Sequence, residues 1–180
     1  MKNLSVLLLF ILSFTGSGHA QKLMTRTGTV HFLSETPIEN IEAKSSQAAS
    51  IFETSKKVVA FNVLLKSFKF EKALMEEHFN EKYVHSDKYP AAKFKGNYDA
   101  DIDLNTPKLH KDVTLTGTMH FHGVSKPMVV KADIEILDDN SVKLKSDFKI
   151  ALAEYNVEVP AIVKAKIASD IAVNLVANYK

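Results

Sequence analysis

Between Val113 and Ile150 apolar and polar residues exchange places at nearly every step. Val113, Leu115, Gly117, Met119 and Phe121 fall on one side, and Thr114, Thr116, Thr118, His120 and His122 on the other. Successive side chains of a strand point to opposite faces, so this run predicts a strand with one apolar and one wet face. Gly123 to Pro127 is a turn-rich break. Met128, Val130, Ala132, Ile134 and Ile136 then alternate with Lys131, Asp133 and Glu135. After Asp138-Asp139-Asn140 a third run sets Val142, Leu144, Phe148 and Ile150 against Lys143, Lys145, Asp147 and Lys149. Three such runs joined by short turns predict an antiparallel meander.

The same period recurs elsewhere. Thr27–Ser34 reads as a strand with Val30 and Phe32 inward, and Thr36-Pro37 ends it. Ile38–Ile51 is weakly patterned, with Ile41 and Ala43 marking a strand. Val59, Phe61, Val63 and Leu65 mark another, after which the apolar parity switches to Phe68 and Phe70. A one-residue switch reverses every side chain, so a bulge or strand end belongs there. In Glu71–Lys82 the period becomes helical: Leu74, Met75, His78 and Phe79 form one stripe, predicting a short amphipathic helix that covers the sheet. Lys93–Leu104 is read as one long strand, with Phe94, Gly96, Tyr98, Ala100, Ile102 and Leu104 inward. Pro160 is placed to open a short helix through Ile167. Ile171, Val173, Leu175, Ala177 and Tyr179 form a closing strand.

About eight long amphipathic strands and one or two short helices make an all-β fold. Closure into an eight-stranded antiparallel barrel buries one face of every strand and removes exposed edges. Such a barrel is just wide enough to be filled by side chains or to hold one small ligand. A two-sheet sandwich is the alternative.

Residues 1–20 stand apart from this pattern. Lys2, the apolar run Leu4–Phe14 and the small residues before Ala20 have the form of a secretory signal cleaved after Ala20. The run is shorter than the ~20 apolar residues that span a bilayer. With no cysteine in the chain, a lipoprotein anchor is excluded. Residues 21–180 are therefore expected to be a single exported domain, periplasmic or secreted, without an integral membrane span and without disulfides. The whole chain carries 23 basic and 21 acidic residues with no block of like charge, which gives no nucleic-acid footprint.

Candidate chemistry is sparse. The chain has no glycine-rich phosphate loop, no Gly-x-Ser-x-Gly elbow, no His-Glu-x-x-His and no thiol, so nothing points to an enzyme. The acids of Lys93–Leu104 recur at alternate positions and form a solvated face. His120 and His122, two apart on a strand, could begin a metal site, but no third ligand is identifiable. The phenylalanines carry more information: eleven are present against no tryptophan. Phe32, Phe61, Phe68, Phe70, Phe94, Phe121 and Phe148 fall on apolar strand faces and Phe79 on the helix. They form either an ordinary core or the wall of a greasy pocket.

Several segments together resemble a known family. Gly117-Thr118-Met119-His120-Phe121-His122-Gly123-Val124-Ser125-Lys126-Pro127 is similar to the "G-x-L-x-x-H-G-V-T/S-K-P" segment of the YceI-like family. Leu74–Asn80 and Tyr89–Gly96 resemble its "M-x-x-H-F" and "Y/F-P-x-x-x-F-x-G" segments, and Ser146–Ile150 its late strand. Where the family often has glycine in that strand, Lys149 stands here. The resemblance implies a lipocalin-like barrel with a long apolar cavity that binds a polyisoprenoid, an isoprenoid quinone or a similar amphiphile, with no catalytic residue and no other cofactor. It turns the apolar faces into cavity walls. The expected lining is Phe32, Phe61, Phe68, Phe70, Phe94, Tyr98, Leu115, Met119, Phe121, Val130, Ile134 and Phe148, with Leu74, Met75 and Phe79 as cover. The rival readings are a solid-core interaction module without ligand and, more weakly, a metal-binding protein using His120 and His122.

Overall fold

Among the described residues, 22–180 of a computed structural model, nine strands form one antiparallel sheet that closes on itself. The predicted signal segment, residues 1–20, lies outside the described residues. In chain order the strands are β1 (Lys22–Glu35), β2 (Asn40–Glu53), β3 (Val58–Leu64), β4 (Lys69–Phe70), β5 (Ala91–Tyr98), β6 (Lys108–Phe121), β7 (Val124–Ile136), β8 (Val142–Ala151) and β9 (Asp170–Tyr179). The pairings of β1 with both β2 and β9 close the wall. Eight strands make the barrel; the two-residue β4 only touches β2, at Ala43 and Lys44. The closed antiparallel barrel is thus the observed architecture, and the sandwich is excluded. A six-residue helix, α1 (Ala73–His78), runs into a π-turn over Phe79–Tyr83. A 3-10 turn follows β8 at Leu152–Tyr155, and another spans Ala161–Lys166, immediately after Pro160.

Where pattern and structure differ, the cause is local. β2 is fourteen residues long although it looked weak, because its inward positions before Phe52 are small or polar: Ala43, Ser45, Ala48 and Ser50. Its inward parity also slips between Ser45 and Ala48, opposite the irregular pairing of Gly28 in β1. The same irregularity hid the first residues of β1. The parity switch after Leu65 is a strand end, where a 3-10 turn over Leu65–Ser67 redirects the chain into β4.

Two boundaries are corrections. Lys93–Leu104 is not one strand: β5 starts at Ala91 and stops at Tyr98. The Asp99 carboxylate accepts the backbone N–H of Thr114, and the Asp103 carboxylate accepts from Asn105 N and Thr106 Oγ1, so side chains replace the ladder. Ala100, Ile102 and Leu104 still pack inward from this coil, which is why their alternation imitates a strand. Nor is Gly123–Pro127 a loop. The turn is His122-Gly123 alone, both at positive φ (50° and 77°), the two-residue I′ geometry that suits strand twist. Val124 already faces Phe121 in β7.

Candidate ligand cavity

The barrel is filled at one end and hollow at the other. At the filled end Phe52, Val59, Ile134, Ile136, Val142, Leu144 and Tyr179 are at most 2% exposed. Phe52 stacks on Tyr98 with ring centroids 4.9 Å apart and meets Tyr179 at 5.7 Å. Ser50 Oγ donates to the Ala60 carbonyl at 2.9 Å and lies 2.6 Å from Tyr179 Oη, so these two deep hydroxyls are satisfied by each other and by backbone. Burial pushes the Tyr98 phenol up to about 12 and that of Tyr179 well above its ordinary range.

Towards the other end the inward side chains leave a cavity of about 290 Å³, at the small end of the ~300–1,000 Å³ of ligand sites. Leu115, Met119, Phe121, Phe61 and Phe94 line its wall, together with Val130, the ladder partner of Leu115, and Phe148. Four phenylalanines close the mouth. Phe79, carried there by the π-turn after α1, lies 5.5 Å from Phe32, 5.9 Å from Phe68 and 5.2 Å from Phe70, centroid to centroid. Met75 and His78 of α1 border the cavity from the same side. The segment after β8 adds Val163 and Ile167 to the lining. That strap is tied down where Ala168 N donates to Ser34 Oγ at 2.9 Å and Lys166 Nζ lies 3.9 Å from Glu39 Oε2. Ser34, Glu39 and Lys166 are thus the polar groups of the rim on this side.

Three of the expected lining residues lie elsewhere. Leu74 is 60% exposed, because the short α1 turns only Met75 and His78 to the mouth. Tyr98 is locked in the filled end by its stack on Phe52. Ile134 is 0% exposed where β7 is tightly laddered to β8. The structure brings the other twelve together around one space. It adds Val173 and Leu175 of β9, Met128, Ile150, and the strap residues Val163 and Ile167. The strand members among these were visible as inward positions; no periodicity in the strap announced it as a wall.

His120 and His122 do not share a face. β6 ends at Phe121, and the positive φ of His122 turns its ring away. His120 Nδ1 is 2.8 Å from Ser125 Oγ, while His122 Nδ1 donates to the Tyr155 carbonyl at 2.9 Å and its ring meets Tyr89 and His85. Among the described residues no three His, Asp or Glu side chains are grouped to hold a metal ion. An almost wholly apolar cavity of this kind can sequester a greasy chain.

The YceI-like domain profile matches residues 13–179. No curated protein matches the chain. Solved structures share its fold at low identity. A polyisoprenoid binding domain from Saccharophagus degradans, described as implicated in plant cell wall breakdown, has TM-score 0.74 at 15% identity, covering 89% of this chain and 98% of its own. BcnA of Burkholderia cenocepacia has TM-score 0.68 at 14% identity, covering 83% and 96%. A YceI protein of Campylobacter jejuni has TM-score 0.63 at 19% identity, covering 81% and 88%.

Proposed function

The chain belongs to the YceI-like family, and on that premise we propose that it is an exported, non-enzymatic carrier holding the apolar tail of an isoprenoid lipid, a quinone or a similar amphiphile. The observation that carries this reading is the hollow half of the barrel: phenylalanine, methionine and aliphatic side chains surround a space that the same strands fill completely a few residues away. A flexible apolar tail entering it gains roughly 25 cal/mol per Å² of surface removed from water, less the cost of ordering the tail. The headgroup sits at the rim, near Ser34, Glu39 and Lys166. Residues 1–20 act as a cleaved export signal and place the carrier in the periplasm or outside the cell. The binding of polyisoprenoid by the domain from Saccharophagus degradans supports the same ligand class.

The test is native mass spectrometry of protein purified from its own host, with organic extraction of the same sample. A released species whose mass follows a ladder of isoprene units establishes the carrier. A clean apo mass, with no uptake of added long-chain quinone, overturns it in favour of an interaction module.

A further inference from the structure

The barrel wall is not continuous. The β7–β8 ladder pairs Ile136 with Val142, Glu135 with Lys143, Ile134 with Leu144 and Asp133 with Lys145, and then ends. Beyond it β7 stays paired to β6 down to Val124, and β8 to β9 as far as Ala151, so the two strands part company. A cleft lies between residues 127–131 and 147–151. It is bounded at both ends. Towards the filled half, Ser146 Oγ donates to the Lys131 carbonyl at 2.6 Å. Towards the mouth, the 3-10 turn after β8 is fixed to the β6–β7 turn by the bond from His122 to the Tyr155 carbonyl and by the Phe121–Tyr155 ring contact at 5.6 Å. The gap is therefore a bounded window in the hydrogen-bond ladder rather than a frayed edge.

Met128, Val130, Phe148 and Ile150 line both this window and the central cavity. The window begins beside the cavity floor, where the fully buried Ile134 and Leu144 start the filled half. From this geometry we propose that the window is a side exit for the far end of the bound chain, so that the protein accepts chains longer than its cavity. This rests on the carrier reading given above. A chain that enters from the rim meets the filled end of the barrel and cannot continue along the axis. It can turn between Val130 and Phe148 without breaking a rung of the sheet, because none is formed there. An added protein strand fits the gap less well. In the alternation set by the two-residue turn, residues 125, 127, 129 and 131 turn their backbone groups away from β6 and into the window. The Lys131 carbonyl obeys this by accepting from Ser146. Pro127 occupies one of these positions and has no N–H to offer a pairing strand. Val129, on the outer face, is 64% exposed and gives the emerging chain an apolar surface to lie on.

The experiment bridges the window from outside. Continuing the register places Val129 opposite Lys149, both outward, and the chain has no cysteine of its own. The double variant Val129→Cys, Lys149→Cys is measured free and bridged by a short bis-methanethiosulfonate. The probes are geraniol, farnesol, geranylgeraniol and solanesol, presented in one nonionic micelle and read by displacement of parinaric acid. The bridged form is expected to bind geraniol and farnesol within about twofold of the unbridged form, and to lose solanesol at least tenfold. In the unbridged form solanesol, unlike geraniol, shields the two thiols from maleimide. The same dependence on chain length in both forms, without shielding, overturns the side exit and leaves the carrier standing. If neither form binds any of the four alcohols, the carrier reading itself falls.

Discussion

At the residue scale the filled end depends on a few polar atoms used without surplus. Ser50 has one hydroxyl proton and gives it to the Ala60 carbonyl, so Tyr179 Oη donates to Ser50 Oγ. Ser50→Ala strands the buried phenol donor and should cost about 1–3 kcal/mol, whereas Tyr179→Phe removes a donor whose acceptor keeps another bond and should cost about 1 kcal/mol. Urea unfolding of the two variants checks the order. The phenols also set an alkaline limit. Burial raises the folded-state pKa of Tyr98 to about 12 and that of Tyr179 beyond it, while an unfolded tyrosine titrates near ~10. With a raised folded value, the stabilisation is fully present below the unfolded pKa and is lost as pH rises through the folded one. The urea midpoint should hold below pH ~10 and fall above it, and Tyr98→Phe should flatten that fall. His122 shows the opposite case at this scale: the alternation set it on one strand face with His120 and began the break at Gly123, and only the positive φ of His122 separates the two.

At the element scale the close approach of β5 and β6 needs two glycines. Gly96 faces Gly117 across the ladder, and a Cβ on Gly117 would stand 2.6 Å from the Gly96 Cα. The obstacle is backbone, which cannot swing aside, so Gly117→Ala should destabilise by about 1–3 kcal/mol, measurable as a lowered midpoint of thermal unfolding. A Cβ on Gly96 would also meet the Phe94 ring at 2.8 Å, which ties this contact to the shape of the cavity wall. α1 has no side-chain cap and no fully buried residue. Helices this short do not persist alone in water, so α1 is held by what its C-terminal end delivers, chiefly Phe79 among Phe32, Phe68 and Phe70.

At the scale of the whole molecule, stability and binding fall in different halves of one barrel. Leu144 is 0% exposed in the filled end, so Leu144→Ala should cost about 2–5 kcal/mol in urea unfolding while a lipophilic probe still binds the folded protein. Phe148 borders the cavity and the window and is only partly buried. Phe148→Ala should therefore cost less stability than the ~3–5 kcal/mol of a fully buried phenylalanine, and should weaken the probe more than Leu144→Ala does. Parinaric acid titration beside the unfolding curve separates the two effects.

The sequence by itself determined most of the strands, their antiparallel order and which side chains point inward, because period-two alternation is a local consequence of the strand backbone; closure into a barrel rather than a sandwich came from the pairings of β1 with both β2 and β9. The sequence also marked most of the cavity wall for the same reason. It did not show β2 at full length, since its inward serines are polar in letter and its inward alanines are matched by alanine on the outer face, and it extended β5 through a coil that Asp99 and Asp103 hold by side-chain bonds. Only the tertiary structure decided that Tyr98 and Ile134 pack solid while Phe94 and Val130 face a void, and that β7 and β8 part after Asp133. All of these are inward positions on amphipathic strands, and alternation treats them alike. Whether an inward side chain meets another or leaves a space depends on what the opposite wall brings to the same depth, and that is set by register and closure across the barrel.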